Sequence, residues 1–391
     1  MDNVGCEASS SRDPKGKKAV GFSPKLRVDK DCARWGNENV EEQTIGTQPT
    51  WRNHQHQTSR IRGFICATII FVVCLGALSY IYRVDVSTTM LSTNQMNESH
   101  TAQCKNPPTR REWRGLTTGE KQEFTRSVNC LSRVPSKWGL NGTLYDDFSA
   151  LHGGIGSWSH RSSSFLPWHR NALYVWEAAL REHCGFNGQI PYWDWTMDWM
   201  NLANSSIWDS TEGFGGDGEV GGPITVGEGR CVVDGPFTDL RPIKYNHTYV
   251  QHCLSRGFRD NGTLGHMSGL PFRPEIIGEV RRKETFVDFE AAVEMHLHNA
   301  MHLAISGDFL ALTAANDPIF YVHHAQMDHL WWQWQQENRE RRLFEYNGKH
   351  MHNSTGHDAS LDSMLVYGGF TEDIPVSEVM DTEKGKLCYR Y

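Results

Sequence analysis

The chain carries 19 histidines, and two groups of them have the spacing to hold metal ions. His298 and His302 stand four apart in LHNAMH, so on a helix both rings leave one face and reach one ion. About twenty residues later, in NDPIFYVHHAQMD, a helix folded back on the first delivers a third imidazole, from His323 or His324. Neighbouring helix positions point about 100° apart, so the two cannot bind one ion alike. His324 is chosen because its face continues at i+4 to Asp328, a carboxylate placed to orient ligands. His323 is left a supporting role. The second group is His152 in LYDDFSALHGG, His160 in GSWSH and His169 in FLPWHR.

Either group alone would also describe histidines in polar loops or on a helix surface. Two such sets in one chain favour a metal site. Neutral imidazole suits zinc, copper, iron and nickel, and three histidines with an open position would serve a catalytic zinc. Binuclear hydrolases clamp hard ions with carboxylates, which neither group contains. Six neutral ligands instead favour a redox pair, since two Cu(I) ions can each give dioxygen one electron.

Helices must position these side chains. Residues 166–182 (LPWHRNALYVWEAALRE) have apolar residues at helical spacing, a proline in the first turn and a glycine-rich stop, and they carry His169. Residues 285–303 predict a second helix, bearing both His298 and His302, and residues 318–340 a third. Between them, residues 200–275 are rich in Gly, Pro and Asn and predict long loops tied by cysteines.

The net charge of -7, with no long basic block, argues against nucleic acid as a partner. The uncharged run GFICATIIFVVCLGALSYIY, residues 63–82, has the ~20-residue length of a membrane span and lies too deep in the chain for a cleaved signal peptide. Arg52, Arg60 and Arg62 precede it, so the N-terminal side is expected to stay cytoplasmic, as in a type II membrane protein. Residues 1–62 predict a disordered tail, 83–103 a stem and 104–391 the folded domain, lumenal or extracellular. The sequons at Asn97, Asn141, Asn204, Asn246, Asn261 and Asn353 all follow the span, as glycosylation on that side requires. Cys104, Cys130, Cys184, Cys231, Cys253 and Cys388 also follow it and allow three bridges of unknown pairing. Cys66 and Cys74 fall in the span, and Cys6 and Cys32 are expected to be cytosolic thiols.

The segments HGG, SH, FLPWHR, PYWDW, LHNAMH and NDPIFYVHHAQMDHLWWQWQ resemble the type 3 copper family of tyrosinases, catechol oxidases and haemocyanins. The resemblance covers residues 105–391 and is nearest to secreted fungal and invertebrate tyrosinases, through REWRGLTTGEK, FGGDG, CLSR and the terminal LCYRY. It implies a mainly α fold: a four-helix bundle core holding a dicopper centre, with long disulfide-tied loops, here preceded by a single transmembrane helix. It makes His152, His160 and His169 the ligands of one copper, and His298, His302 and His324 those of the other. Some members link a cysteine two residues before the second ligand to a histidine; Trp158 stands there, so no thioether is expected. With only a short stretch after the second histidine group, the C-terminal shielding domain of latent forms is not expected.

The implied reaction uses dioxygen to hydroxylate phenols ortho to the hydroxyl and to oxidise catechols to quinones. Members that hydroxylate monophenols are thought to hold a water between a glutamate upstream of the second group and the asparagine after its first histidine. Here these are Glu290, from the F-x-x-x-E pattern at Phe286, and Asn299, with Glu294 one turn later as the competing glutamate. The alternatives are a catechol oxidase without monophenol activity and a haemocyanin-like oxygen carrier.

Overall fold

The computed structural model describes residues 104–245, 249–310 and 312–391. The expected tail, span and stem (residues 1–103) lie outside the described residues, as do the sequons at Asn97 and Asn246. Among the described residues no helix is long and apolar enough to cross a membrane.

Helix α1 (Thr118–Leu131) and helix α2 (Leu144–Gly153) each start with a capping box, Thr117 with Glu120 and Thr143 with Asp146, which satisfies backbone N–H groups that a helix start leaves open. Helix α3 (Phe165–Cys184) buries Phe165, His169, Leu173, Trp176 and Leu180 along one stripe. It ends at Gly185, whose φ of 66° needs the freedom of a residue without a Cβ. This helix extends the one expected at 166–182 by one residue before and two after. Helix α4 (Pro274–Arg281) opens on proline.

The helix expected at 285–303 is interrupted. It runs as α5 (Phe286–Ala292), a π-helical turn (Val293–His298) and α6 (Asn299–Ile305). In the π turn the Asn299 N–H donates to the Glu294 carbonyl, five residues back rather than four. Such widened turns cluster at functional sites, and this one carries Glu294 and His298. Helix α7 (Ile319–Glu337) is buried on nearly every side, from Ile319 through His323, His324 and Asp328 to Trp334. A helix buried around its whole circumference belongs at the centre of a fold, and α2, α3 and α5–α6 surround it with the histidines. Residues 339–342 form a separate short helix after Asn338, so α7 stops before the expected end at 340.

Residues 200–275 are loops and short ribbons, as expected. Strand β1 (Arg230–Cys231) has its partner at Ser255–Arg256, and Cys231–Cys253 closes the same region. The other bridges are Cys130–Cys184, joining α1 to α3, and Cys104–Cys388, joining the two ends of the described residues.

One polar cluster lies inside the core. Asp328 accepts hydrogen bonds from Arg110, Arg170, Tyr389 and Tyr391. Arg110 also meets Glu177 at 2.7 Å, and the Arg170 guanidinium lies 3.6 Å from the centre of the Trp331 ring. Against the opposing effect of burial, the paired arginines hold the Asp328 carboxyl below its ordinary range. The expectation that Asp328 orients a ligand histidine is therefore corrected. Its oxygens face the arginines and the C-terminal tyrosines.

Candidate metal centre

Both histidine groups assemble. Within each, the candidate ligand atoms of His152, His160 and His169, and of His298, His302, His323 and His324, lie within 4.8 Å of one another. Helix α2 supplies His152, the loop after it His160, α3 His169, the π turn and α6 His298 and His302, and α7 the rest. Helix α2 is missing from the helices expected on periodicity, although the pattern T-x-x-D at Thr143 is the capping signal that marks it. The His160 loop packs directly on α3, since a Cβ on Gly156 would lie 2.5 Å from the Trp168 ring.

Backbone carbonyls set the protons on these rings. Nδ1 of His152 donates to the Leu312 carbonyl at 2.6 Å, that of His169 to Phe165 at 2.8 Å and that of His160 to Gly156 at 3.1 Å. Nδ1 of His302 donates to the Phe309 carbonyl, and that of His298 to Oδ1 of Asn299 at 3.2 Å. A carbonyl can only accept, so Nδ1 carries the hydrogen and Nε2 keeps a lone pair. The Nε2 atoms of His152, His169, His298 and His302 are buried without a hydrogen-bond partner. Buried polar atoms are rarely left so unless something else binds them.

Burial also keeps the rings neutral. It depresses His152, His169, His298 and His324 well below the ordinary imidazole range, His160 to about 4 and His302 to about 3. A neutral imidazole is the form that binds a metal. Phe165 and Phe320 wall the site, with Phe165 4.9 Å from His298 and Phe320 4.2 Å from His324, ring centre to ring centre.

His323 and His324 both lack a hydrogen-bond partner at either nitrogen. Their surroundings differ. The His324 ring lies 4.2 Å from His169 and 5.2 Å from His298, between the two groups. The His323 ring packs against Trp195 and Phe309, at 5.3 and 5.4 Å.

A cavity of about 640 Å³ opens over the histidines, lined by His152, His160, His298 and His302 together with Arg161, Glu294 and Asn299. Its rim carries Leu303, Leu310 and Leu312, all exposed. Glu290, the glutamate preferred from sequence, does not line it. Its carboxyl is buried one turn behind Glu294, and burial, with the neighbouring Glu294 carboxylate and the hydrogen bond between the two side chains, raises it well above the ordinary range. Glu294 faces the cavity and accepts the Arg161 backbone N–H on both oxygens, at 2.7 and 2.8 Å. Glu294, the competing glutamate of the sequence, is thus the acid on the cavity wall.

Residues 142–337 match the family model described as the common central domain of tyrosinase. This is half of the chain. The chain belongs to the tyrosinase family. Tyrosinase ustQ of Aspergillus flavus is 65% identical over 288 residues, covering 74% of this chain and 80% of that protein. Tyrosinase-like protein phomQ1 of Diaporthe leptostromiformis is 44% identical, covering 74% of this chain and 78% of the other. N-acetyl-6-hydroxytryptophan oxidase ivoB of Emericella nidulans is 28% identical over 73% of this chain and 93% of that protein. A mutant polyphenol oxidase of Thermothelomyces thermophila shares the fold, with a TM-score of 0.63 at 24% identity, over 77% of this chain and 92% of that one. This tyrosinase-family oxidoreductase has a type 3 dicopper centre as its cofactor, and the two histidine groups with their free Nε2 atoms fit it. All six cysteines among the described residues are in disulfides, so none of them is available for a thioether.

Proposed function

We propose that the protein uses dioxygen to oxidise o-diphenols to o-quinones and to hydroxylate monophenols ortho to the hydroxyl. In this reading His152, His160 and His169 hold one copper, and His298, His302 and His324 the other. The observation that carries it is the open cavity over both histidine groups, wide enough at about 640 Å³ for an aromatic substrate to enter. An oxygen carrier would need that approach closed. Bound there, the copper pair supplies the electrons that reduce dioxygen and the oxidising power that converts the phenol.

The protein's own groups orient the rings and handle the proton. With a phenol pKa near 10, only about one molecule in a thousand is ionised at pH 7, a gap of roughly 4 kcal/mol. Glu294 and Asn299 line the same cavity, and in this reading they hold the water that accepts the phenolic proton. Glu294 replaces Glu290 in that role, while Glu290 donates a hydrogen bond to it from behind. Asn299 has a second task, because its Oδ1 fixes the tautomer of His298.

The test is anaerobic copper loading followed by oxygen, monitored in the near ultraviolet, and then addition of a catechol and of tyrosine. A new band with product from both supports the full reading. No band removes the dicopper oxidase. Product from the catechol alone selects the second reading, an oxidase without hydroxylase activity, which the relative named for oxidising an already hydroxylated ring favours.

The same proposal places the domain on the lumenal or extracellular side of a membrane, anchored by residues 63–82. Three disulfides and the exposed positions of Asn141, Asn204, Asn261 and Asn353 support it. A mass shift on deglycosylation of protein from its native membrane tests the orientation, and unmodified sequons would count against it.

A further inference from the structure

Arg161 directly follows His160 and lines the cavity over the histidines. Its backbone has a φ of 55°, a left-handed conformation that a residue with a Cβ adopts only where its surroundings enforce it. Glu294 enforces it by accepting the Arg161 N–H on both carboxylate oxygens. Glycine would take this backbone freely. The position instead carries a long cationic side chain at the substrate cavity.

The other arginines of the interior are matched. Arg110 and Arg170 face Asp328, and Arg256 faces Asp317 at 2.7 Å. The Arg161 side chain is exposed, and among the described residues it makes no hydrogen bond or ion pair. Glu294, the carboxylate of the cavity wall, feels the arginine's charge at a distance, but its oxygens are already turned to the Arg161 backbone and to Glu290. The rest of the wall near the rim is made by Ser157, Asn299, the three leucines and His352, none of them anionic. A guanidinium without an ion-pair partner on such a wall is a fork for an anionic, planar group.

We infer that Arg161 is a specificity residue that binds a carboxylate carried on the tail of the substrate, while the aromatic ring lies over the histidines. The substrate class is then a phenol or catechol with an anionic side chain. This rests on the phenol-oxidase reading above.

The test compares three catechols on the copper-loaded protein: 3-(3,4-dihydroxyphenyl)propionate, neutral 4-methylcatechol and cationic dopamine. Wild type is expected to prefer the carboxylate in kcat/KM. Arg161→Gln is expected to lower the ratio of carboxylate to neutral substrate about tenfold, mainly through KM, Arg161→Lys to restore much of it, and Arg161→Glu to turn the preference toward dopamine. Binding of 3-phenylpropionate, which has no phenol to oxidise, should weaken about tenfold in Arg161→Gln by calorimetry. An unchanged ratio, or an equal loss on all three catechols, would overturn the inference and leave Arg161 a loop residue. If wild type oxidises none of them, the phenol-oxidase reading fails, and the binding measurement still reports on the arginine.

Discussion

His169 and His324 lie face to face, ring centres 4.2 Å apart and planes 6° from parallel, although they come from different helices and different histidine groups. The stack joins the two groups through α3 and α7 and sets His324 apart from His323. His324→Ala is expected to reduce bound copper from two ions toward about one per chain and to abolish the near-ultraviolet band on oxygenation. His323→Ala should keep both ions, because its ring packs on Trp195 and Phe309. Metal analysis after dialysis decides, and equal copper loss in both variants would reverse the assignment.

Glu294 and Asn299 face the cavity, whereas Glu290 is behind. Glu294→Gln is expected to slow tyrosine hydroxylation by about tenfold or more while catechol oxidation falls less. Glu290→Gln keeps a donor toward Glu294 and should have the smaller effect. Asn299→Asp should likewise depress hydroxylation more than catechol oxidation. Steady-state rates on the two substrates separate these outcomes, and parallel losses would show that the residues only hold the site together.

The candidate ligand histidines are legible in the sequence because i, i+4 spacing on a helix and a following helix with HH are local patterns. The loops of residues 200–275 are legible from their glycines. Three features are not. The π turn depends on a single carbonyl being bypassed, which residue spacing does not record, and it carries Glu294, the acid on the cavity wall. Asp328 sits at a helical position one turn from His324, but Arg110 and the tyrosines 389 and 391, from the far ends of the domain, claim it. Arg161 carries no local signal, because nothing in its neighbours predicts a positive φ.

The cluster around Asp328 should dominate stability. Asp328→Asn leaves Arg170 buried without its carboxylate, and removing one partner of a buried ion pair costs about 3 to 5 kcal/mol. Urea unfolding is expected to show a loss of that size. A change below about 1 kcal/mol would mean that the tyrosine hydroxyls and Glu177 compensate.

His329 gives the fold a pH dependence apart from the metal site. Burial lowers it from 6.5 to about 4, with Asp194 and Asp328 pulling the other way. The folded state therefore resists protonation, so the stability tied to this ring is complete above about 6.5 and declines as the pH falls toward about 4. The full change is on the order of 3 kcal/mol. His329→Gln should flatten that slope relative to wild type in copper-free protein, measured by unfolding at stepped pH; identical slopes would show that the ring is solvated.

The widened turn at Val293–His298 makes one helix tolerate length changes very unevenly. In the regular parts of α5 and α6 a lost residue turns everything beyond it by about 100°. Losing a single residue inside this turn would instead let its i→i+5 bonds close as ordinary i→i+4 bonds, so the segments on either side keep their register and only the side chains of the turn itself are displaced. Across descendants of this sequence, a one-residue change of length should thus be absorbed between Ala292 and Asn299 more readily than elsewhere in this helix, provided that Glu294 and His298 are kept.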